Sequence, residues 1–135
     1  MHPIREYLLA RPEAWKDFPF RLDVAVIKVQ NKMFATLARS GTSHWPDVDP
    51  DSWQMNLKCE PEQAMMLRDV FPAVKPGYHM NKAHWNTVIL DGTVPTGELE
   101  RMIDHSYGLV VRSMTRRARG LLEIHYSAEE LYRSS

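Results

Sequence analysis

Residues 53 to 59 read Trp-Gln-Met-Asn-Leu-Lys-Cys, with Trp53, Met55, Leu57 and Cys59 separated by the polar Gln54, Asn56 and Lys58. Side chains of an extended chain alternate between two faces, so this stretch is a strand with one dry and one wet side. Such a strand belongs to an antiparallel sheet covered on one face, because parallel sheets are buried on both and read as continuous apolar runs. The cover is written later in the chain. Leu99, Met102, Ile103, Ser106, Val110 and Met114 recur at helical spacing and form a buried stripe.

The remaining elements are placed around that pair. Leu22–Val29 is β-branched and nearly continuous in apolar character, a buried strand; Gln30-Asn31-Lys32 reverses it into Met33–Ala38, giving a hairpin. A short strand is expected at Tyr78–Met80 and another at Trp85–Leu90, with turns at Pro76-Gly77 and Asp91-Gly92. Ile4–Ala10 is a helix limited by Pro12, and Trp15, Phe18 and Phe20 follow in a Pro-interrupted connector that tucks it against the body. Pro61 opens a second helix, with Glu60 and Glu62 near its positive pole and Ala64, Met66, Leu67, Val70 and Phe71 as its apolar side. Thr96 caps the last main helix, read as running to Arg117 so that Arg112, Arg116 and Arg117 meet its negative pole; Gly120 interrupts it. Ser127 and Glu130 have the spacing of a capping box for a short final helix. The order is α-β-β-β-α-β-β-α. It specifies an α+β fold, a single antiparallel sheet with helices packed on it, in one domain over residues 1–135 with its core at about 5–114 and a C-terminal extension at 115–135.

Composition narrows the function. Seventeen basic residues balance seventeen acidic ones, so any polyanion site must come from local clustering. Cys59 is the only cysteine, which excludes an internal disulfide and a Cys-rich zinc site and fits a reducing cytoplasm. The start, Met-His-Pro-Ile-Arg-Glu-Tyr, has no apolar signal core, and no run approaches the roughly 18 apolar residues of a membrane span. No GxSxG, HExxH, P-loop or GxGxxG motif is present, so a non-enzymatic protein without cofactor is expected.

The stretch from Pro76 to Gly92 concentrates polar chemistry: Tyr78, His79, Asn81, Lys82 and His84 stand in or beside one short turn. Loops on rigid scaffolds commonly carry binding groups. Lys82 can meet a phosphate or carboxylate as a point charge, and Tyr78 can stack on a base. Asn81 either closes the turn or contacts a ligand, and His79 and His84 can equally bond the backbone. The two histidines are five apart, a spacing that suits neither a helix face nor a strand face, so no metal site is expected. Trp85, which begins an apolar strand, is read as core, as is Cys59. Asp104 and His105 are adjacent on a helix, face different directions, and are read as solvated surface. Arg112, Arg116, Arg117 and Arg119 form a group with no intervening acid, either a hydrated helix end or a phosphate-contacting edge.

Four segments together resemble the MmcQ/YjbR family of small bacterial proteins: Val-Ile-Lys-Val-Gln-Asn-Lys-Met-Phe-Ala (26–35), Leu-Lys-Cys-Glu-Pro-Glu-Gln-Ala (57–64), Tyr-His-Met-Asn-Lys-Ala-His-Trp-Asn-Thr-Val (78–88) and Ile-Asp-His-Ser-Tyr-Gly-Leu-Val (103–110). The resemblance implies a fold of the CyaY-like or secretion-chaperone-like type. It also implies DNA binding, through hairpins that resemble a double-wing arrangement. Its signature positions here are Lys58, Pro76, Gly77, His79, Asn81, Lys82, His84, Trp85 and Asp91, and it supplies no catalytic role for them. The loop Ser40–Ser52 and the Arg-rich tail after Thr115 depart from the pattern. The expectation is a DNA- or other nucleic-acid-binding regulator or accessory module, monomeric or homodimeric, contacting phosphates through Lys82, Lys58 and the arginine edge. A protein-binding adaptor using the exposed sheet face and a small-molecule site around His79, Lys82 and His84 are the alternatives.

Overall fold

The alternating strand lies near the middle of a six-stranded antiparallel sheet of order β1-β2-β3-β4-β6-β5. In the computed structural model, described over residues 2–20, 22–41, 45–77 and 80–133, the elements are α1 (Ile4–Leu9), β1 (Ala14–Asp17), β2 (Ala25–Val29), β3 (Lys32–Arg39), β4 (Trp53–Lys58), α2 (Pro61–Val70), β5 (Val74–Pro76), β6 (Trp85–Leu90), α3 (Thr96–Arg112), α4 (Arg116–Glu123) and α5 (Ala128–Leu131). The alternation in β4 holds: Met55, Leu57 and Cys59 are buried, and the polar residues between them are partly exposed.

Helix α3 carries the packing. Leu99, Met102, Ile103, Ser106 and Val110, with Met114 just past the helix end, are all buried, as their spacing requires, against Ala35, Leu37, Met55, Leu57 and Val88 of the sheet's inner face. One polar side chain, Ser106, pins the helix to the sheet with two hydrogen bonds. Between β2 and β3 the register slips, with Ile27 opposite Ala35 but Lys28 opposite Met33, so Phe34 is the extra residue of a bulge. The Ser106 hydroxyl donates to the Phe34 carbonyl at 2.6 Å and accepts the Lys58 N–H at 2.9 Å. The Phe34 ring meets Tyr107 edge-on, with centroids 5.2 Å apart.

Several elements depart from their expected bounds. The aromatic connector contains an edge strand: β1 pairs antiparallel with β2, Ala14 opposite Val29. β2 begins at Ala25, and Leu22 is exposed. A short strand, Val74–Pro76, precedes the signature turn; of the expected strand Tyr78–Met80, Tyr78 and His79 lie outside the described residues. Met66 and Val70 of α2 are exposed; only Ala64 is fully buried there, with Leu67 and Phe71 partly so. Thr96 is the first residue of α3 and makes no capping bond. The long final helix is two helices. α3 stops at Arg112, and Thr115 caps α4 by accepting the Ala118 N–H, so Arg116 and Arg117 open a helix instead of closing one. Gly120 lies inside α4 without breaking it. The capping box at Ser127 and Glu130 forms as expected, and Leu122 and Leu131 bring α4 and α5 into the common core.

The far face of the sheet is partly roofed by the segment from Trp45 to Ser52, where Lys75 binds Asp47 at 2.7 Å and Val48 is buried. One row across β3, β4 and β6 on this face is polar: Thr36 and Asn56 are partly exposed, Thr87 is buried, and the Thr87 hydroxyl donates to the Asn56 side-chain carbonyl.

Replacing Ser106 with alanine strands two buried backbone groups, each costing about 1–3 kcal/mol. Ser106→Ala is therefore expected to lose about 2–4 kcal/mol in urea denaturation, whereas Ser127→Ala, which removes an exposed cap, loses only about 1 kcal/mol.

Candidate functional site

Strand direction decides which of the sequence-marked residues meet. β2 ends, β3 begins, β4 ends and β6 begins at one end of the sheet, since Val29 faces Lys32 and Lys58 faces Trp85. The Gln30–Asn31 turn and the turn before β6 therefore project from the same end. Two to three strand spacings separate them, about 10–14 Å.

The first turn is held in shape. Gln30 adopts φ 53°, a left-handed conformation uncommon for a residue with a side chain. Its carbonyl accepts the Trp15 indole N–H at 2.8 Å, and its side-chain amide donates to the Ala118 carbonyl of α4 at 2.9 Å. Trp15 in turn lies under Lys28, whose ammonium is 5.3 Å from the ring centroid. Lys32, beside this turn, is exposed.

In the second turn the Asn81 side chain accepts the Ala83 N–H at 3.0 Å, and the His84 N–H closes back on the Asn81 carbonyl. Asn81 thus does the work of the turn, while Lys82 and the His84 ring stand exposed. Gly77 fits only as glycine, because a Cβ there would sit 2.8 Å from the Trp85 carbonyl oxygen. Trp85 is half-buried and Lys58 partly exposed.

The arginine group divides. Arg112 stacks on Tyr132, 4.3 Å from the ring centroid. Arg119 reaches the Arg112 carbonyl and the Glu123 carboxylate, the latter at 3.8 Å. Arg116 and Arg117 are exposed in the first turn of α4, which holds no acidic residue, so both charges stand at the helix's positive pole. Through Ala118 they flank the first turn.

Asp104 and His105 are not surface residues. Asp104 accepts the Tyr7 hydroxyl on both oxygens, at 2.9 and 2.8 Å, and Arg11 at 2.9 Å; the pair is nine-tenths buried. Arg11 also lies 3.8 Å over the Tyr7 ring. Burial, and then the bond to Asp104, raise the Tyr7 hydroxyl pKa above its ordinary value. His105, on the neighbouring flank of α3, turns the other way, and its Nε2 accepts the Glu60 N–H at 3.4 Å.

His105 belongs to a cleft that the sequence did not announce. Gln63, Met66 and Leu67 of α2 form one wall, and Glu98, Arg101, Met102 and His105 of α3 form the other. Leu57, Cys59, Asn86 and Val88 make the floor, and the enclosed volume is about 90 Å³. Asn86 is buried within a run of apolar strand residues. Its amide donates to the Ala64 carbonyl at 3.3 Å, and its Oδ1 has no protein partner. The signals available were this polar residue inside an otherwise apolar strand and the methionines on α2. Burial, and then the Glu60 charge, push the Cys59 thiol up to about 11. Among the described residues no three His, Cys, Asp or Glu side chains gather as metal ligands, and no helix is long and apolar enough to cross a membrane.

A sequence model of YjbR matches residues 9–109. The chain belongs to the YjbR family. The Escherichia coli K12 protein YjbR is 33% identical over 117 residues, covering 87% of this chain and 92% of its own length. Bacillus subtilis YyaQ is 44% identical over 55 residues, 41% of this chain and 46% of that protein. The crystal structure of Deinococcus radiodurans DR2400, a DUF419 domain, superposes with a TM-score of 0.74 at 34% identity, over 89% of this chain and 85% of that one. A Pseudomonas syringae crystal structure superposes at 0.70 with 29% identity, over 82% and 99%. The YjbR matches therefore span the sheet, both turns and most of α3, and the family model ends before α4.

Two outcomes follow for this YjbR protein. Asp104→Asn leaves the Arg11 charge buried without its partner and is expected to cost about 3–5 kcal/mol in denaturant unfolding. Cys59 is mostly thiol at pH 8, since its pKa lies near 11. Its alkylation by iodoacetamide should be slow there and rise about tenfold per pH unit up to pH 10, as the thiolate is the nucleophile; a rate flat with pH would contradict the burial.

Proposed function

We propose that this YjbR protein is a non-catalytic, cytoplasmic nucleic-acid-binding module that grips the backbone of a duplex with the two turns at one end of its sheet. The observation that carries the reading is their shared direction and spacing. Lys32 beside one turn and Lys82 in the other are exposed cations about 10–14 Å apart by strand count, close to the ~12 Å width of the DNA major groove. They can reach phosphates on opposite banks. Arg116 and Arg117 extend the cationic edge past the first turn, and placing both against the dipole of α4 is a local cost that a bound phosphate offsets. Arg112 and Arg119 drop out of the expected contact set, since each already holds a protein partner.

Glu13 and Glu60 are exposed near the same sheet end, so the attraction is local and modest. The groups that could serve catalysis support a binding role: the Asp104 carboxylate is occupied by Tyr7 and Arg11, and the Cys59 thiol resists ionisation.

Four phosphate contacts give a log–log salt slope of about −3 to −4. Fluorescence anisotropy of a labelled duplex across a salt series should show it. Lys32→Ala with Lys82→Ala should reduce the slope by about two and weaken all sequences alike, as phosphate contacts do. Absence of binding at low salt, or a slope unchanged in the double variant, would overturn the proposal.

A further inference from the structure

We propose that the α2–α3 cleft is a binding site for a small, compact apolar molecule carrying one hydrogen-bond donor, independent of the nucleic-acid surface. The cleft holds about 90 Å³ between two helices and the sheet, with Leu57, Val88 and Met102 supplying an apolar interior. Its one buried polar anomaly is Asn86. That side chain is 2% exposed, with its amide fixed on Ala64 of α2 and its Oδ1 unpartnered. A buried carbonyl oxygen without a donor costs about 1–3 kcal/mol, so it persists where something supplies one. Water and a small ring compete for that position, and the phenol titration separates them. Apolar cavities of about 150 Å³ take up benzene, so a single ring reaching past the rim is the right scale.

Access fits the same reading. Gln63, Met66 and Arg101 at the mouth are exposed. Met66 is flexible and polarisable, the side-chain type that adapts to apolar ligands. Arg101 is tied to Glu98 at 3.0 Å, so its charge is already answered at the rim, and the apolar interior favours a neutral ligand. The occupant is therefore neutral, ring-sized and a donor: a phenol, an alcohol or an N–H heterocycle.

Phenol and toluene are the probes, since they share shape and differ in the donor. Titrations of the intact chain followed by amide chemical shifts should place phenol at Asn86, Met66 and Met102. Toluene is the more hydrophobic of the two, so the deciding quantity is the phenol-to-toluene affinity ratio. Asn86→Leu should lower that ratio about tenfold, the factor for losing one buried hydrogen bond. Met66→Trp, an exposed substitution that plugs the mouth, should abolish both shifts while the fold is retained. If Asn86→Leu does not fold, Met66→Trp and the shift map decide alone. No shifts at the cleft, an unchanged ratio, or an ordered water on Asn86 in a crystal soaked with phenol would each overturn the site.

Discussion

The Ser106 hydroxyl is the contact on which the rest of the architecture turns. A bulge in an antiparallel ladder leaves a backbone group without its usual partner, and burying one is costly. Here the bulge at Phe34 lies under the central helix, and a single side chain accepts from β4 while donating to β3. The helix is thereby indexed to two strands at once. That fixes the rotation of α3 about its axis, and with it the directions of Asp104 and His105. One flank then receives α1 through Tyr7 and Arg11, and the other closes the cleft against α2. The bulge also strengthens the twist of the β2–β3 hairpin as it approaches its turn.

Much of this architecture is legible in the amino-acid sequence alone. Strict alternation marks β4, the β-branched run marks β6 to the residue, and helical spacing identifies every buried position named on α3. What is not legible has physical causes. β1 is four residues long, contains one exposed aromatic and follows a prolyl turn, so neither propensity nor periodicity marks it; it exists because β2 offers an unpaired edge. The α3–α4 break carries no glycine or proline and depends on the Thr115 cap, which looks like any other threonine. The burial of Asp104 and His105 escapes a stripe argument because such an argument assumes one buried face. A central helix with neighbours on both flanks has nearly none exposed.

The candidate residues divide along a similar line. A turn rich in polar side chains does mark a projecting loop, and Asn81 shows how part of that chemistry is consumed in shaping it. Which turn lies beside which is a matter of strand order, a non-local property that no short stretch encodes. The cleft is still further from view, since its walls come from four elements separated by tens of residues and its one telling atom is defined by what does not touch it.

The family model ends at residue 109, yet the hydrophobic centre includes Leu122 and Leu131. Because both side chains fold back over residues made much earlier, a nascent chain emerging from the ribosome exposes apolar surface of α3 until residue 131 has cleared the tunnel. Folding of this protein is thus tied to late events in its own translation. A chain stopped before the last two helices would therefore carry an uncovered apolar surface, the kind of surface that chaperones bind.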